Sequence, residues 1–258
     1  LHLLSRRQRQ MCIRDRIEGE KLGSFWGYTF AGIWQEDEVN APFVDANGQT
    51  NGKTNGEVYK VKPGNSKYVD INKDGVYNDA DQGIIGCGQP TFNWGWNNTF
   101  NYKNFDFSFF VVGFHGFDIY NATHQMGYNL IKSQQVAGVT PMRELLNRWT
   151  PTNTNTNIPG FVNGGTENKD FFSTRFVENG SFIKMKSITL GYTLPETACR
   201  ALGITNLRVY ASVQNPFHIT NYSGLDPEAT MGSPLVQGVD WGSYPNSRNY
   251  LIGLNFSF

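Results

Sequence analysis

The sequence contains no run of about 18 apolar residues, the length that a membrane-spanning helix requires. It therefore predicts no transmembrane helix. Charged residues are scarce, at 17% of the chain, and the net charge is zero, so nothing in the charge favours binding to nucleic acid. The three cysteines, Cys12, Cys87 and Cys199, are scattered without a CxxC pair, which predicts neither a disulfide framework nor a zinc site.

Glycine and aromatic residues are abundant. The 258 residues include 28 Gly, 19 Phe, 12 Tyr and 6 Trp, a composition typical of many short strands joined by polar turns. The mean hydropathy of -0.44 does not argue against a membrane β-barrel, because apolar and polar residues alternate along each strand of such a barrel and dilute the average.

The last nine residues alternate most clearly. One face of the predicted strand carries five large apolar side chains, and the other carries small or polar ones; the apolar set is Tyr250, Ile252, Leu254, Phe256 and Phe258. An exposed apolar last strand promotes aggregation of a soluble protein, but it is stable if the apolar face contacts lipid and the edge pairs with another strand. The last strand of a soluble sandwich is the alternative.

A hairpin is predicted at residues 92–111. Aromatic residues occupy mostly even positions in 92–102, whereas apolar residues occupy odd positions in 105–111. A two-residue turn at 103–104 explains the switch, because it pairs Tyr102 with Phe105 and keeps all the aromatic side chains on one face.

Turn lengths then predict the direction of each strand, because membrane barrels have short periplasmic turns and long external loops. The predicted fold class is all-β, with about six antiparallel strands of a transmembrane β-barrel and a helical turn at 196–202. Six strands are too few to close such a barrel. The strands are predicted at 25–34, 92–102, 105–113, 182–194, 207–213 and 250–258, and the long extracellular loops at 35–90, 116–180 and 215–245.

Residues 1–16 differ from the rest of the chain. They contain five of the 22 basic residues, and the string MCIRDR resembles translated sequencing-adaptor sequence. We expect 1–16 to be a non-native terminal segment and 17–258 to be the C-terminal portion of a larger barrel. A native basic turn is the alternative.

Residues 70–81, within the loop 35–90, have the spacing of an EF-hand calcium loop. Oxygen ligands fall at positions 1, 3, 5, 9 and 12, a backbone carbonyl falls at position 7, and Gly75 falls at position 6. An Asp replaces the usual Glu at position 12, which predicts a weaker site. The predicted ligands are Asp70, Asn72, Asp74, the carbonyl of Val76, Asn78 and Asp81.

These hard oxygen ligands favour calcium over zinc, and the predicted role is structural, since no base or activated water is implied. The alternative is an Asx-rich turn that binds no metal. No Ser/His/Asp or Cys/His arrangement and no carboxylate pair stands out, so the sequence does not predict an enzyme. Trp94, Trp96, Trp149 and Trp241 are candidates for stacking on sugar rings, although a role at a membrane interface or within a loop core explains them better.

Several segments resemble the C-terminal half of the SusC/RagA family of TonB-linked outer-membrane importers, and their order and spacing match across 17–258. Two departures are Cys87, where Asn is expected, and Pro216, where Leu is usual. The matching segments are 32–38 (GIWQEDE), 70–86, 100–106 (FNYKNFD), 148–151 (RWTP), 176–182 (FVENGSF), 188–195 (ITLGYTLP), 208–210, 214–215, 222–228 (YSGLDPE) and 244–258.

The resemblance implies a large outer-membrane barrel in a Gram-negative, Bacteroidetes-like cell, a SusD-like surface lipoprotein partner, and import of oligosaccharides or peptides. It also implies that the TonB complex acts through an N-terminal part that this sequence lacks. A soluble, calcium-stabilised β-sandwich that binds carbohydrate is the alternative function. The two functions are distinguished by what the apolar faces of the strands contact. This is lipid in a membrane barrel and a second sheet in a soluble sandwich.

Overall fold

The computed structural model describes residues 19–128, 142–160, 171–201, 203–231 and 237–257. The predicted non-native segment 1–16 and the terminal Phe258 lie outside these ranges. The chain forms two compact units. The first includes the chain up to Gly88 together with 120–178 and 239–242, and the second includes the remainder. No helix in the described ranges is long and apolar enough to cross a membrane.

The strands are numbered in chain order. They are β1 Ser24–Tyr28, β2 Phe30–Ile33, β3 Pro42–Val44, β4 Thr50–Thr54, β5 Ser66–Tyr68, β6 Gln82–Cys87, β7 Phe92–Tyr102, β8 Phe105–His115, β9 Asp118–Asn121, β10 Val177–Asn179, β11 Phe182–Thr193, β12 Asn206–Gln214, β13 His218–Thr220, β14 Val239–Asp240 and β15 Asn249–Ser257. The described helices are α1 Glu36–Asn40, α2 Asn55–Val58, α3 Ala122–Tyr128 and α4 Glu196–Ala201. Short 3-10 turns lie at Asp79–Asp81, Arg143–Asn147, Thr174–Phe176 and Pro227–Met231.

The second unit is built on a six-stranded antiparallel sheet. Its long strands lie in the order β15-β12-β11-β8-β7, and the short β13 also pairs with β11. Five predicted strands are therefore confirmed, and so is a mostly antiparallel β fold. Among the described residues the sheet ends at β7 on one side and β15 on the other, so closure into a barrel stays a prediction.

The hairpin between β7 and β8 has the predicted register. Tyr102 pairs with Phe105 and Phe100 pairs with Phe107. Lys103, in the two-residue turn, adopts φ 52, as a tight hairpin of this length requires. The aromatic side chains therefore share one face, where the rings of Phe100 and Phe107 are stacked.

That aromatic face of the sheet, the outer face, is exposed along β7 and β15 and half-buried at central positions such as Phe109 and Ile188. Ile252 is 81% exposed, Tyr102 is 70% exposed, and Leu254 and Phe256 are each 60% exposed. An apolar surface of this extent is unfavourable in water and indicates contact with lipid or a partner. In the soluble-sandwich alternative this face is buried against a second sheet, so the exposure argues against that alternative.

The opposite face, the inner face, gains two lysines through an irregularity in β11. The register with β8 shifts between Met185 and Ser187, so Lys186 is an extra residue of the kind found in a β-bulge. Lys184 consequently pairs with Val112 and faces the same side as Thr189, although one position is even and the other odd. The predicted outward parity of Ile188, Leu190 and Tyr192 beyond the bulge is confirmed by their pairing with outer-face residues of β8.

The predicted barrel strand at 25–34 is wrong. This segment divides at Thr29 into β1 and β2, and neither joins the six-stranded sheet; β1 pairs with β6 and β2 pairs with β5. Side chains on both faces of the segment are buried, among them Phe25, Tyr28 and Ile33. A strand that faced lipid would leave one of these faces exposed.

The first unit contains small sheets and short helices around two apolar clusters. One cluster is Phe25, Tyr120, Ala122, Phe176 and Val239, and the other is Trp34, Val39 and Val61. The predicted loop 35–90 is thus an ordered region, and residues 70–81 connect its strands β5 and β6.

Candidate functional sites

The loop 70–81 turns sharply at the glycine that its spacing predicted. Gly75 adopts φ 83, a left-handed conformation that favours glycine, and it is buried. A Cβ at this position would overlap Val58 Cγ1 and lie 3.4 Å from the ring of Phe43. The turn therefore needs glycine both for its backbone conformation and for its packing.

Three carboxylates converge inside this loop. Asp70, Asp74 and Asp81 each offer an oxygen, and these oxygens lie within 4.8 Å of one another. Like charges this close repel unless donors or a cation neutralise them. The sequence thus correctly predicted that Asp70, Asp74 and Asp81 lie close together, although they are up to 11 positions apart in the chain.

Backbone N–H groups hold two of these carboxylates in place. Asp70 Oδ1 accepts from Lys73 N at 2.6 Å, and its Oδ2 accepts from Gly75 N at 2.9 Å. Asp81, which is 1% exposed, accepts from Ile71 N at 2.9 Å and from Asn78 N at 3.0 Å. Backbone donors of the loop thus fix the position of both carboxylates.

Asp74 is surrounded by amide donors. Its Oδ2 accepts from Asn72 Nδ2 at 2.9 Å and from Asn78 Nδ2 at 3.0 Å, and its Oδ1 accepts from Val76 N at 2.8 Å. Partial burial raises the pKa of Asp74, but the hydrogen bonds from Val76, Asn72 and Asn78 outweigh it and hold the pKa below its ordinary value. The carboxylate is therefore ionised at neutral pH and available as an oxygen ligand.

The side-chain amide of Asn78 is not oriented as the predicted calcium ligand requires. Its Oδ1 accepts from Ala80 N at 2.8 Å and caps the 3-10 turn, while its Nδ2 donates to the Val76 carbonyl at 3.1 Å as well as to Asp74. The amide nitrogen thus contacts two atoms that were predicted to bind calcium. Asn72 also directs its oxygen to a backbone donor, Asp74 N, at 3.1 Å.

Tyrosines support the loop from one side. The Tyr59 hydroxyl donates to Asp70 Oδ2 at 2.8 Å, and the ring of Tyr59 stacks on that of Tyr77 at 5.2 Å between centroids. Burial, reinforced by Asp70, raises the pKa of Tyr59, and burial raises the pKa of Tyr77 to about 12. Both hydroxyls are therefore neutral at physiological pH and cannot serve as anionic ligands.

The chemistry of this donor set suits a hard divalent cation. It offers carboxylate oxygens from Asp70, Asp74 and Asp81 and a carbonyl from Val76, whereas no histidine or cysteine takes part. The donor set thus has the chemistry that the spacing of residues 70–81 predicted, and calcium binding stays a prediction.

A second cluster of charges lies on the inner face of the sheet in the second unit. Lys184 Nζ lies 2.8 Å from Asp226 Oδ2 and 2.7 Å from Glu228 Oε2, and Lys186 Nζ pairs with Glu228 Oε1. The Lys184 and Asp226 side chains are each 3% exposed. Asn246 also binds both carboxylates. These bonds attach the segment after β13 to β11.

Sequence reasoning missed this cluster. Asp226 and Glu228 lie in the motif YSGLDPE, which was noted only for its family resemblance. The one available signal was a pair of lysines, Lys184 and Lys186, which are the only charged residues of β11. Their inward direction depends on the bulge, which no residue pattern indicated.

The four candidate tryptophans lie in different places. Trp96 is 54% exposed on the outer face of the sheet, and Trp94 is in the same strand. Trp241 is 57% exposed, in the first unit. Trp149 is half-buried, and its Nε1 donates to Gln35 Oε1 at 2.9 Å.

Comparison with known proteins places this arrangement in a family. No protein-family model matches the sequence. The chain is 34% identical over 247 residues to TonB-dependent receptor P3 of Formosa agariphila, covering 93% of this chain and 22% of that protein. It is 30% identical over 198 residues to TonB-dependent receptor SusC of Bacteroides thetaiotaomicron, covering 76% of this chain and 18% of SusC.

Solved structures support the fold. The structure of the RagAB peptide transporter aligns with a TM-score of 0.65 and 23% identity, covering 91% of this chain and 22% of the matched chain. The RagAB peptide importer in its open-open state aligns with a TM-score of 0.64.

The chain spans about a fifth of the length of the relatives it matches. TonB-dependent receptors are outer-membrane proteins, and their family is one of transporters rather than enzymes, which agrees with the expectation from sequence. The chain belongs to the SusC/RagA family of TonB-dependent receptors.

Proposed function

We propose that residues 17–258 are the C-terminal portion of a TonB-dependent outer-membrane importer of oligosaccharides or peptides. The observation that carries this proposal is the two-sided character of the six-stranded sheet. Its outer face carries aromatic and aliphatic side chains, many of them exposed, whereas its inner face carries ion pairs such as Asp106–Arg208. This alternation is what a barrel wall between lipid and an aqueous interior requires.

The proposed partners follow from the same assignment. A SusD-like surface lipoprotein covers the extracellular side, and the TonB complex acts through the N-terminal part of the whole receptor. The likeness to the RagAB peptide importer supports both a two-protein assembly and a peptide as one class of cargo. Oligosaccharides are the other class that the family resemblance of the sequence implies.

A labelling experiment on the full-length receptor tests the membrane assignment. A polarity-sensitive fluorophore is attached to a single cysteine at position 252 or 251, after the native cysteines of the receptor, including Cys87 and Cys199, are replaced by serine. Because neighbouring residues of a strand face opposite sides, we expect the apolar emission of lipid contact at 252 and aqueous emission at 251. Aqueous emission at both positions would contradict the assignment.

An uptake experiment tests the transport assignment. Cells that express the receptor with its lipoprotein partner are offered labelled oligosaccharides and labelled peptides. We expect uptake of one class, lost when TonB is deleted. Uptake that is independent of TonB, or absent for both classes, would argue against the proposal.

We also propose that the loop 70–81 binds a structural calcium ion through Asp70, Asn72, Asp74, the carbonyl of Val76, Asn78 and Asp81. The convergence of three carboxylates within 4.8 Å supports this, because a cation relieves their repulsion. When bound, the ion would supply positive charge that holds the loop in one conformation. Asn72 and Asn78 would have to turn an oxygen toward the ion, since their amide nitrogens now face Asp74.

Calorimetry on the full-length receptor tests the calcium site. Asp74→Ala should weaken calcium binding, because it removes a ligand. Asp79→Ala is the matched control, since Asp79 is an exposed carboxylate of the same loop that is not a predicted ligand. If neither variant alters binding, or the wild type binds no calcium, the loop is an Asx-rich turn.

A further inference from the structure

The two-residue turn between β7 and β8 marks one edge of the outer face. Each of these strands has 11 residues, a length at which a tilted strand crosses the hydrocarbon core of a bilayer. Because this sheet is proposed to cross a membrane, the turn at 103–104 then lies where the hydrocarbon core ends. Turns this short are typical of the periplasmic side of such a barrel.

Three aromatic side chains lie side by side on the outer face next to this turn. Tyr102 pairs with Phe105, and Phe105 pairs with Tyr192 of β11. The rings of Phe105 and Tyr192 pack together, with their centroids 4.6 Å apart. Adjacent strands are about 4.8 Å apart, so the three rings form one surface about 10 Å wide.

Lys103 adds a positive charge to the same surface. Its Nζ lies 5.4 Å from the centroid of the Tyr102 ring, which places the ammonium on the outer side of the sheet. At their outer-face positions, the described strands β7, β8, β11, β12 and β15 carry no Lys, Arg, Asp or Glu. The charge of Lys103 is therefore isolated at the edge of an uncharged face.

Carboxylates at this end of the sheet have other partners. Asp106 pairs with Arg208 on the inner face, and Glu196 lies 3.4 Å from Arg200 within α4. Lys103 forms no ion pair with any residue that the structure describes. A cation at the edge of an apolar surface attracts an anionic group from the surroundings.

The strand β11 holds the turn in place. Asn104 Nδ2 donates to Thr193 O at 2.7 Å, and Thr193 N donates to Asn104 O at 2.8 Å. Within the described ranges, the hydroxyls of Tyr102 and Tyr192 form no hydrogen bond, although each can donate one. The anchored turn thus presents an ammonium and two hydroxyls to a ligand.

We infer that this surface, the turn site (Tyr102, Lys103, Phe105 and Tyr192), binds the phosphate group of a phospholipid in the periplasmic leaflet. A phosphate offers a negative charge and several acceptor oxygens, which match the ammonium and the two hydroxyls. The acyl chains of the same molecule lie along the apolar outer face, beside Phe107. One ligand thus satisfies both the polar donors and the exposed rings.

Other ligands satisfy only part of the turn site. A soluble anion would pair with Lys103 but would leave the aromatic rings exposed to water. A lipid without phosphate, such as diacylglycerol, would cover the rings but would leave the ammonium unneutralised. An acidic protein segment would bring its polar backbone against a face that contacts lipid, which is costly.

The inference rests on the proposed membrane assignment, and photolabelling of the full-length receptor tests it. The receptor is purified in micelles of dodecyl maltoside, which contains no phosphate. It is mixed with photoreactive phosphatidylglycerol or with photoreactive diacylglycerol. Both probes carry the same acyl chain, with the reactive group next to the glycerol, and only the first has a phosphate headgroup. Mass spectrometry of peptides locates the labelled residues.

Phosphatidylglycerol should label residues 100–107 about fivefold more than diacylglycerol does. This ratio corresponds to about 1 kcal/mol, the contribution of one lysine beside an anionic lipid. Both probes should label β15 equally, because its outer face contacts acyl chains and carries no charge.

Variants at the turn make the result specific. Lys103→Asn should reduce the phosphatidylglycerol labelling of 100–107 to the diacylglycerol level, because the charge is lost while asparagine tolerates the φ of 52 at this position. Lys103→Arg should retain the preference for phosphate. Lys53→Asn is the matched control, since Lys53 is an exposed lysine of β4 in the first unit. Thermal unfolding confirms that each variant is folded, and Tyr102→Phe combined with Tyr192→Phe serves if Lys103→Asn is not.

The outcomes separate the turn site from the membrane assignment. Equal labelling of 100–107 by the two probes, or labelling that Lys103→Asn leaves unchanged, overturns the turn site even when both probes label β15. If neither probe labels β15, the membrane assignment fails and the turn site fails with it. Excess glycerol phosphate should not displace phosphatidylglycerol, and displacement by this soluble anion would overturn the assignment to a lipid.

Discussion

Asp106 and Arg208 form a two-pronged ion pair across a strand that separates them. Arg208 Nε lies 2.8 Å from Asp106 Oδ1 and Nη2 lies 2.5 Å from Oδ2, although β8 and β12 are neighbours of β11 and not of each other. Gly191 of β11 lies beneath the pair. The absence of a side chain there allows the two charged groups to meet on the inner face of the sheet.

The first prediction concerns Gly191→Ala. A Cβ at this position would overlap Asp106 Oδ1 and lie 2.6 Å from Arg208 Nη2, so the ion pair must separate or the strand must shift. We expect a loss of stability of about 1–3 kcal/mol, measured by denaturant unfolding of the full-length receptor. Gly83→Ala is the control, because nothing lies within 4 Å of a Cβ there. Equal effects of the two substitutions would contradict the prediction.

The second prediction concerns Lys184→Met. The substitution leaves Asp226 without its closest cation in a buried position, and Glu228 retains only Lys186. We expect a destabilisation of about 3–5 kcal/mol, since breaking a buried pair leaves an uncompensated charge. Lys53→Met, at an exposed lysine of β4, should change unfolding little. A small effect of Lys184→Met would show that water reaches the cluster.

The third prediction concerns the effect of low pH on the ion pairs of Asp226 and Glu228. Burial raises the pKa of Asp226 and of Glu228, but the bonds from Lys184 and the other donors outweigh it, so both pKa values lie below the ordinary 3.8 and 4.5. The ion pairs of Asp226 and Glu228 therefore stabilise the folded state at pH values above the ordinary pKa values. This stabilisation is lost as the pH falls through the lowered pKa values. Hydrogen exchange of residues 222–231 should accelerate below a pH of about 4. Asp226→Asn should reduce this pH dependence, and an unchanged profile in that variant would contradict the assignment.

The fourth prediction compares two leucines of β15. Leu254 pairs with Val209 on the outer face, whereas Leu251 pairs with Ser212 on the inner face, and both are more than half exposed. Leu254→Arg should destabilise the receptor in a bilayer by about 2–4 kcal/mol if the site lies near the mid-membrane, because a charge then faces lipid. Leu251→Arg should cost much less. Equal costs, measured by unfolding in lipid vesicles, would exclude a lipid-facing outer face.

The sequence by itself determined the elements whose residues repeat with period two. The parity change between 92–102 and 105–111 predicted the turn at 103–104 and the pairing of Tyr102 with Phe105, both of which the structure shows. These features are local, because side chains alternate along a strand and a two-residue turn fixes the register. The spacing of residues 70–81 likewise predicted that Asp70, Asp74 and Asp81 would lie close together.

Only the tertiary structure decided the features that depend on distant partners. Turn lengths predicted a barrel strand at 25–34, but the partners of this segment, β5 and β6, lie more than 30 residues away and bury both of its faces. The bulge at Lys186 changes which side chains of β11 face inward, and so creates the contact with Asp226. Trp149 meets Gln35 across 114 positions. Pairings of this kind are set by the packing of whole elements, for which a single sequence has no periodic signal.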